Sequence, residues 1–180
     1  RGTNLEKLGV MIQTPEHVLA ALVGCDLDNV IIELNASELP IMDGSSKYFV
    51  EAIEKVGVVE QEAERKIFVV KDVISYLDEA TGSEITVIPS DEYCVTAMVD
   101  FGTKVLGTQN ATMKNIKEFK SEIADCRTFS FLHELESLLN NGLIKGGDLN
   151  NAIVYVDKEI SAETMENLKK AFNKETISVK

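Results

Sequence analysis

Apolar residues along the chain alternate between two periods, and the changes of period mark its elements. In TPEHVLAALVG (residues 14–24) they recur at helical spacing, with Thr14 placed to cap, Pro15 at the first helical position and Glu16 and His17 in the first turn. NVIIEL (29–34) is a β-branched run that predicts a strand. KYFVEAIEKVG (47–57) predicts a helix capped by Ser45 or Ser46, and the polar EQEAERK after it reads as a linker. KIFVVKDVISYLD, EITVIP and EYCVTAMVDFG are strand-like runs divided by Asp, Gly, Pro and Ser, which predicts an antiparallel meander. NIKEFKSEIADC and FSFLHELESLLNNG read as amphipathic helices, the second ended by Asn141 and Gly142. NAIVYVD is a further strand, and SAETMENLKKAF a helix with Ser161 and Thr164 as caps. Strands in a run followed by helices imply an α+β layered fold rather than a doubly wound parallel sheet.

Composition narrows the class without naming a function. Hydrophobic residues make up 44% and charged residues 27%, the ordinary globular range. No apolar run reaches membrane-span length and no basic start with an apolar core suggests a signal peptide, so a cytoplasmic setting is expected. Cys25, Cys94 and Cys126 are scattered and form no CxxC pair or disulfide framework. A net charge of −12 argues against nucleic acid and against an anionic membrane surface, and serves solubility.

The candidate chemistry lies at Glu16 and His17. A helix N-terminus favours neutral imidazole, the form that binds a cation, and leaves the adjacent carboxylate available to take a proton from a metal-bound water. Equally, acids are common in first turns for dipole reasons alone, and a catalytic zinc usually needs three protein ligands. His133, the only other histidine, reads as part of the wet side of its helix. LIKGGDLNN lacks the spacing of a phosphate-binding loop and reads as a turn into a strand. Asp91, Glu92 and Asp100 alternate with apolar residues as the wet face of a sheet, so the residues alone leave the metal reading and the ordinary one both open.

Three segments together resemble one family. TPEHVLAALVGCDLDNVIIELNASELPIMDGSSKYFVEAI is similar to the signature region of the zinc-dependent UDP-3-O-acyl-N-acetylglucosamine deacetylases of lipid A biosynthesis, with their T-x-E-H-x-x-A-A-L and P-I-M-D-G-S segments. CRTFSFLHELESLLNNGLIKGGDLNNAIV resembles that family's R-T-F-x-F helix and the Gly-Gly loop and strand after it. The resemblance implies that His17 is a zinc ligand and Glu16 the general base, with the Thr128 hydroxyl hydrogen-bonding the oxyanion. Phe129 and Phe131 then become substrate contacts, and Gly147, Ala152 and Val154 lie near a narrow passage for the acyl chain. Asp43 matches a motif acid with a structural role, while Asp148 stands where the family would have a small polar residue.

The resemblance also implies two α/β sandwich halves, both incomplete here: residues 1–62 as the later part of the first and 63–180 as the earlier part of the second, with an inserted strand-helix subdomain. The remaining zinc ligands, in an H-x-x-x-D helix, and a histidine general acid are expected beyond Lys180. The chain is therefore expected to be an internal or truncated fragment that binds zinc weakly or not at all, lacks activity alone and self-associates through exposed edges. The substrate implied is a UDP-linked, acylated glucosamine. A non-catalytic acidic module that binds a protein partner is the alternative.

Overall fold

The computed structural model of the protein describes residues 2–135 and 150–177. In chain order the elements are β1 (Asn4–Lys7), β2 (Val10–Gln13), α1 (Glu16–Gly24), α2 (Lys47–Val56), β3 (Ile74–Asp78), β4 (Ser83–Val87), β5 (Val95–Asp100) and β6 (Thr108–Met113). A 3₁₀ turn (Ile116–Glu118) then runs into a π-helical turn (Phe119–Ile123), followed by β7 (Phe129–Phe131), β8 (Ile153–Tyr155) and α3 (Ala162–Ala171). Pairs β1–β2, β3–β4 and β5–β6 are antiparallel hairpins, and β7–β8 is a parallel pair. This is a mixed helix-and-sheet architecture, as the α+β expectation required.

Several local expectations hold for identifiable reasons. The Ser161 side chain caps α3 by accepting from the Thr164 amide at 3.0 Å, and Gly57 ends α2 at φ +84°. Strand β8 falls in NAIVYVD. Between β3 and β4, Asp78 accepts from the Ala80 amide and the Thr81 hydroxyl, which fixes the turn.

Other expectations are corrected. NVIIEL forms no strand: Val30, Ile31 and Ile32 are 51%, 88% and 44% exposed. A β-branched run needs a neighbouring strand to become one, and here β2 reaches only as far as a single bridge, Gln13 to Glu38. The expected meander is two separate hairpins whose first strand starts at Ile74, not Lys66, and the polar run TQNATM supplies β6. NIKEFKSEIADC is not a regular α-helix but the 3₁₀ and π turns, started by the Asn115 side chain accepting from the Lys117 amide at 2.9 Å. Of FSFLHELESLLNNG, Phe129–Phe131 is strand, a helical turn begins at 132, and the rest lies outside the described residues.

The core is small and joins the two halves of the chain. Ala21 of α1, Val50 of α2, Met113 of β6, and Phe119 and Ala124 of the π-helical turn are buried together. Phe119 lies so close over Gly24 that a Cβ there would sit 1.9 Å from its Cδ1. Beside this core, an apolar cavity of about 440 Å³ separates Leu19, Ala20 and Val23 of α1 from Val95, Ala97 and Ala111 of the β5–β6 hairpin. Arg65 returns the exposed linker to α1 by pairing with Asp26 at 2.8 Å and Asp28 at 2.6 Å.

Many large apolar side chains among the described residues are exposed. The chain exposes 14319 Å², whereas a compact monomer of 19.8 kDa exposes about 8,600 Å². On β3–β4 the cross-strand pairs Ile74–Val87 and Tyr76–Ile85 line one face, and all four side chains are exposed. Because the packing that exists is concentrated around Phe119, Gly24→Ala is expected to lower stability by about 1–3 kcal/mol through overpacking. Urea denaturation of the wild type and the variant checks this.

Candidate active site

Helix α1 begins at Glu16 with Pro15 as its N-cap residue and no side-chain cap. Thr14 does not cap it, contrary to expectation. Its backbone sits at φ +57°, and its hydroxyl donates instead to the Glu38 carboxylate at 2.9 Å, a charged and therefore stronger acceptor. A β-branched residue in the left-handed region is an outlier that costs on the order of 1–3 kcal/mol.

Glu16 complements the positive end of the α1 dipole. Its Oε2 is buried and has no hydrogen-bond partner among the described residues. Leaving a buried acceptor unmet costs about 1–3 kcal/mol, and more when it is ionised. Above it passes the start of the chain: a Cβ at Gly2 would lie 3.9 Å from Glu16 Oε1. His17, half-buried, is held through its backbone, where its carbonyl accepts from the Ser46 hydroxyl at 3.0 Å.

That bond ties α1 to the IMDGSS turn, residues 41–46. Asp43 Oδ1 accepts from the Ser45 amide at 3.1 Å and the Ser45 hydroxyl at 2.7 Å, while Ser45 Oγ accepts from the Lys47 amide at 3.2 Å, so Ser45 meets the start of α2. Ser46, the N-cap residue of α2, points its hydroxyl to His17 and its amide to Ala124 O. Desolvation works to raise the Asp43 pKa, but the Ser45 hydrogen bonds and the Arg127 charge outweigh it and hold the carboxyl below its ordinary 3.8.

Gly44, at φ +84°, joins this turn to the third motif. The Thr128 amide donates to Gly44 O at 2.6 Å, and Arg127 Nε donates to Asp43 O at 2.7 Å while its Nη2 donates to Asn150 O. A Cβ on Gly44 would lie 2.1 Å from Asn151 O and 2.9 Å from Thr128 Cγ2. Thr128 therefore turns its methyl toward Gly44, and its carbonyl accepts from the Ile153 amide at 2.9 Å to start the β7–β8 pairing.

Phe129 and Phe131 fall on one face of β7 and meet edge-to-face with centroids 5.8 Å apart. Phe101, on the loop after β5, and Tyr155 of β8 complete the cluster at 5.2 Å and 5.8 Å from Phe129. Phe131 is buried, whereas Phe129 is 39% exposed. Val154 pairs with Ser130 and so lies on the opposite face, Ala152 is half-buried just before β8, and Gly147 is outside the described residues. His133 stacks on Phe131, and its Nδ1 meets Asp157 Oδ1 at 3.0 Å. That hydrogen bond holds the Asp157 pKa below its ordinary value.

The folded chain thus gathers the 14–17, 43–46 and 127–131 segments, while Ala152 and Val154 adjoin through β8. Sequence reasoning missed Arg127, Gly44 and Ser46 as the connections, although each stands inside a motif already singled out. It also missed Phe101 and Tyr155, which carry no motif. A zinc ion could take His17 as one ligand, with the unmet Glu16 carboxylate beside it. Among the described residues no group of three or more His, Cys, Asp or Glu side chains stands together to hold a metal, so they do not by themselves form a complete zinc site.

The described site is thus an acid–imidazole pair opening a helix, linked by an Asp-Gly-Ser-Ser turn to a threonine at a strand start. Residues 1–177 match the UDP-3-O-acyl N-acetylglycosamine deacetylase family (LpxC), and the chain belongs to that family. It is 44% identical over 168 residues to the bifunctional enzyme LpxC/FabZ of Bacteroides thetaiotaomicron, covering 93% of this chain and 36% of that protein. With the namesake of Porphyromonas gingivalis it shares 40% identity over the same shares of the two chains. The UDP-3-O-acyl-N-acetylglucosamine deacetylase of Syntrophotalea carbinolica is 39% identical over 159 residues, 88% of this chain and 51% of that one. The chain therefore spans about a third to a half of the length of these relatives.

The depressed Asp43 pKa gives a pH dependence of definite sign. Its contribution to stability is fully present above the unfolded value of 3.8 and is lost as the pH falls from there through the lower folded value. Asp43→Asn is expected to remove that acid-limb loss, so urea denaturation of the two forms should diverge above pH 3.8 and converge below it.

Proposed function

We propose that this chain forms part of a zinc-dependent deacetylase that hydrolyses the N-acetyl group of UDP-3-O-acyl-N-acetylglucosamine, releasing acetate and the free amine. The reading rests most on the buried Oε2 of Glu16 beside His17, which has no hydrogen-bond partner among the described residues and is available to accept a proton. Zinc, when bound with His17 among its ligands, would polarise the acetamide carbonyl and lower the pKa of water to about 7.

The residues of this chain supply the rest. Glu16 Oε2 accepts the proton of the attacking water, and its place in the first turn of α1 fixes where that proton goes. Thr128, held by its backbone at Gly44 and Ile153, offers its hydroxyl to the oxygen that gains charge as the carbonyl becomes tetrahedral. Phe129 is the exposed edge of the aromatic cluster and contacts substrate, with Phe131 supporting it. Ala152 and Val154, together with Gly147, border the acyl passage. Asp43 keeps the turn that joins these parts and does no proton transfer.

This reading extends to two α/β sandwich halves divided near residues 61–65, with zinc held between them. Among the described residues no helix is long and apolar enough to cross a membrane. The acidic protein-binding module is not favoured, because the chain belongs to a family named for a deacetylase.

In the full-length enzyme, Glu16→Gln is expected to lower kcat by roughly 10²-fold or more while Tm stays level or rises, since the change removes an unmet buried charge. Steady-state assay beside calorimetry checks both, and an unchanged kcat would end the proposal for this residue. Thr128→Val is expected to cost roughly 10²-fold in kcat with little change in KM. A loss under about twofold would remove Thr128 from the oxyanion site.

A further inference from the structure

Glu16 and His17 are bracketed by two ties to the same downstream segment. On the far side, the Ser46 hydroxyl holds the His17 carbonyl at 3.0 Å. On the near side, Thr14 Oγ1 donates to Glu38 Oε1 at 2.9 Å, two residues before Glu16. The backbone reinforces this second tie: Gln13 N donates to Ser37 O at 2.9 Å, Leu39 N to Gln13 O at 3.1 Å, and Thr14 N to Thr3 O at 3.1 Å. Leu39, next to Glu38, is 5% exposed and anchors the acceptor side.

We propose that Thr14 and Glu38 are positioning residues, a clamp that sets the direction in which the first turn of α1 presents Glu16 and His17. This rests on the reading of Glu16 as the base. Thr14 has φ +57° immediately before Pro15, where a right-handed helical backbone is disfavoured. A β-branched residue does not stay in that region unaided, so the hydroxyl bond and the strand hydrogen bonds on either side hold it there. Were they released, φ at Thr14 would relax toward negative values and swing Pro15 and the helix start, displacing Glu16 relative to Thr128. A displacement near 1 Å at a reacting group is enough to cost roughly 10²-fold in rate.

The test uses the full-length deacetylase. Thr14→Val and Glu38→Ala are each expected to lower kcat by roughly 10- to 100-fold with KM and Tm unchanged. Thr14→Ser keeps the hydroxyl and Glu38→Gln keeps a carbonyl acceptor, so both should restore wild-type kcat. In the metal-free protein, hydrogen exchange of the Leu19 amide, which donates to Pro15 O at 2.9 Å, should quicken in the first two variants and not in the rescuing pair. Wild-type kcat in Thr14→Val, failure of Thr14→Ser to rescue, or a rate loss that follows a fall in Tm would overturn the clamp. Glu16→Gln assayed alongside separates the two claims: full activity there sinks the base assignment, whereas unchanged Leu19 exchange in Thr14→Val and Glu38→Ala sinks the clamp.

Discussion

Gly44 has no side chain, and the arrangement of the site depends on that. Its backbone fits between Thr128 and the Asn151 carbonyl, where a Cβ would lie 2.1 Å from the oxygen. Through this gap the IMDGSS turn takes the Thr128 amide on one side and reaches the His17 carbonyl on the other. A side chain at position 44 would separate the turn from the start of β7, and with it the helix that carries Glu16 from the strand that follows Thr128. The left-handed backbone of Gly44 is a second reason that no other residue suits the position.

Around this junction the chain accepts local instability. A buried carboxylate oxygen of Glu16 meets no partner among the described residues, and Thr14 holds a positive φ against its own side chain. Both lie within three residues at the start of α1, where the structure would gain stability from a neutral residue and a glycine. Strained residues of this kind cluster at functional sites, and the proposed assignment of Glu16 as the base takes its support from that. The Phe119 core below α1 supplies the packing against which this strain is held.

Much of the candidate site was legible in the chain. The adjacent Glu16 and His17, the IMDGSS turn and the RTF segment could be singled out as motifs, and caps such as Ser161 follow from local chemistry that needs no distant partner. The misses share one cause. NVIIEL has strand propensity but no strand beside it, Thr14 has a capping side chain but found a carboxylate, and 115–126 has helical periodicity but winds as 3₁₀ and π turns with Phe119 over Gly24. In each, the presence or lack of a partner remote in sequence decided against the local preference.

The sequence by itself determined the candidate residues of the proposed site, the family and the helices that local capping and periodicity specify. Tertiary structure alone decided which of those residues meet: Ser46 with His17, Arg127 with Asp43, Gly44 with Thr128, and Thr14 with Glu38. The physical reason is range. Capping and periodicity act over a few residues and are written in the local order, whereas a hydrogen bond across 24 or 84 positions exists only once the chain has closed on itself.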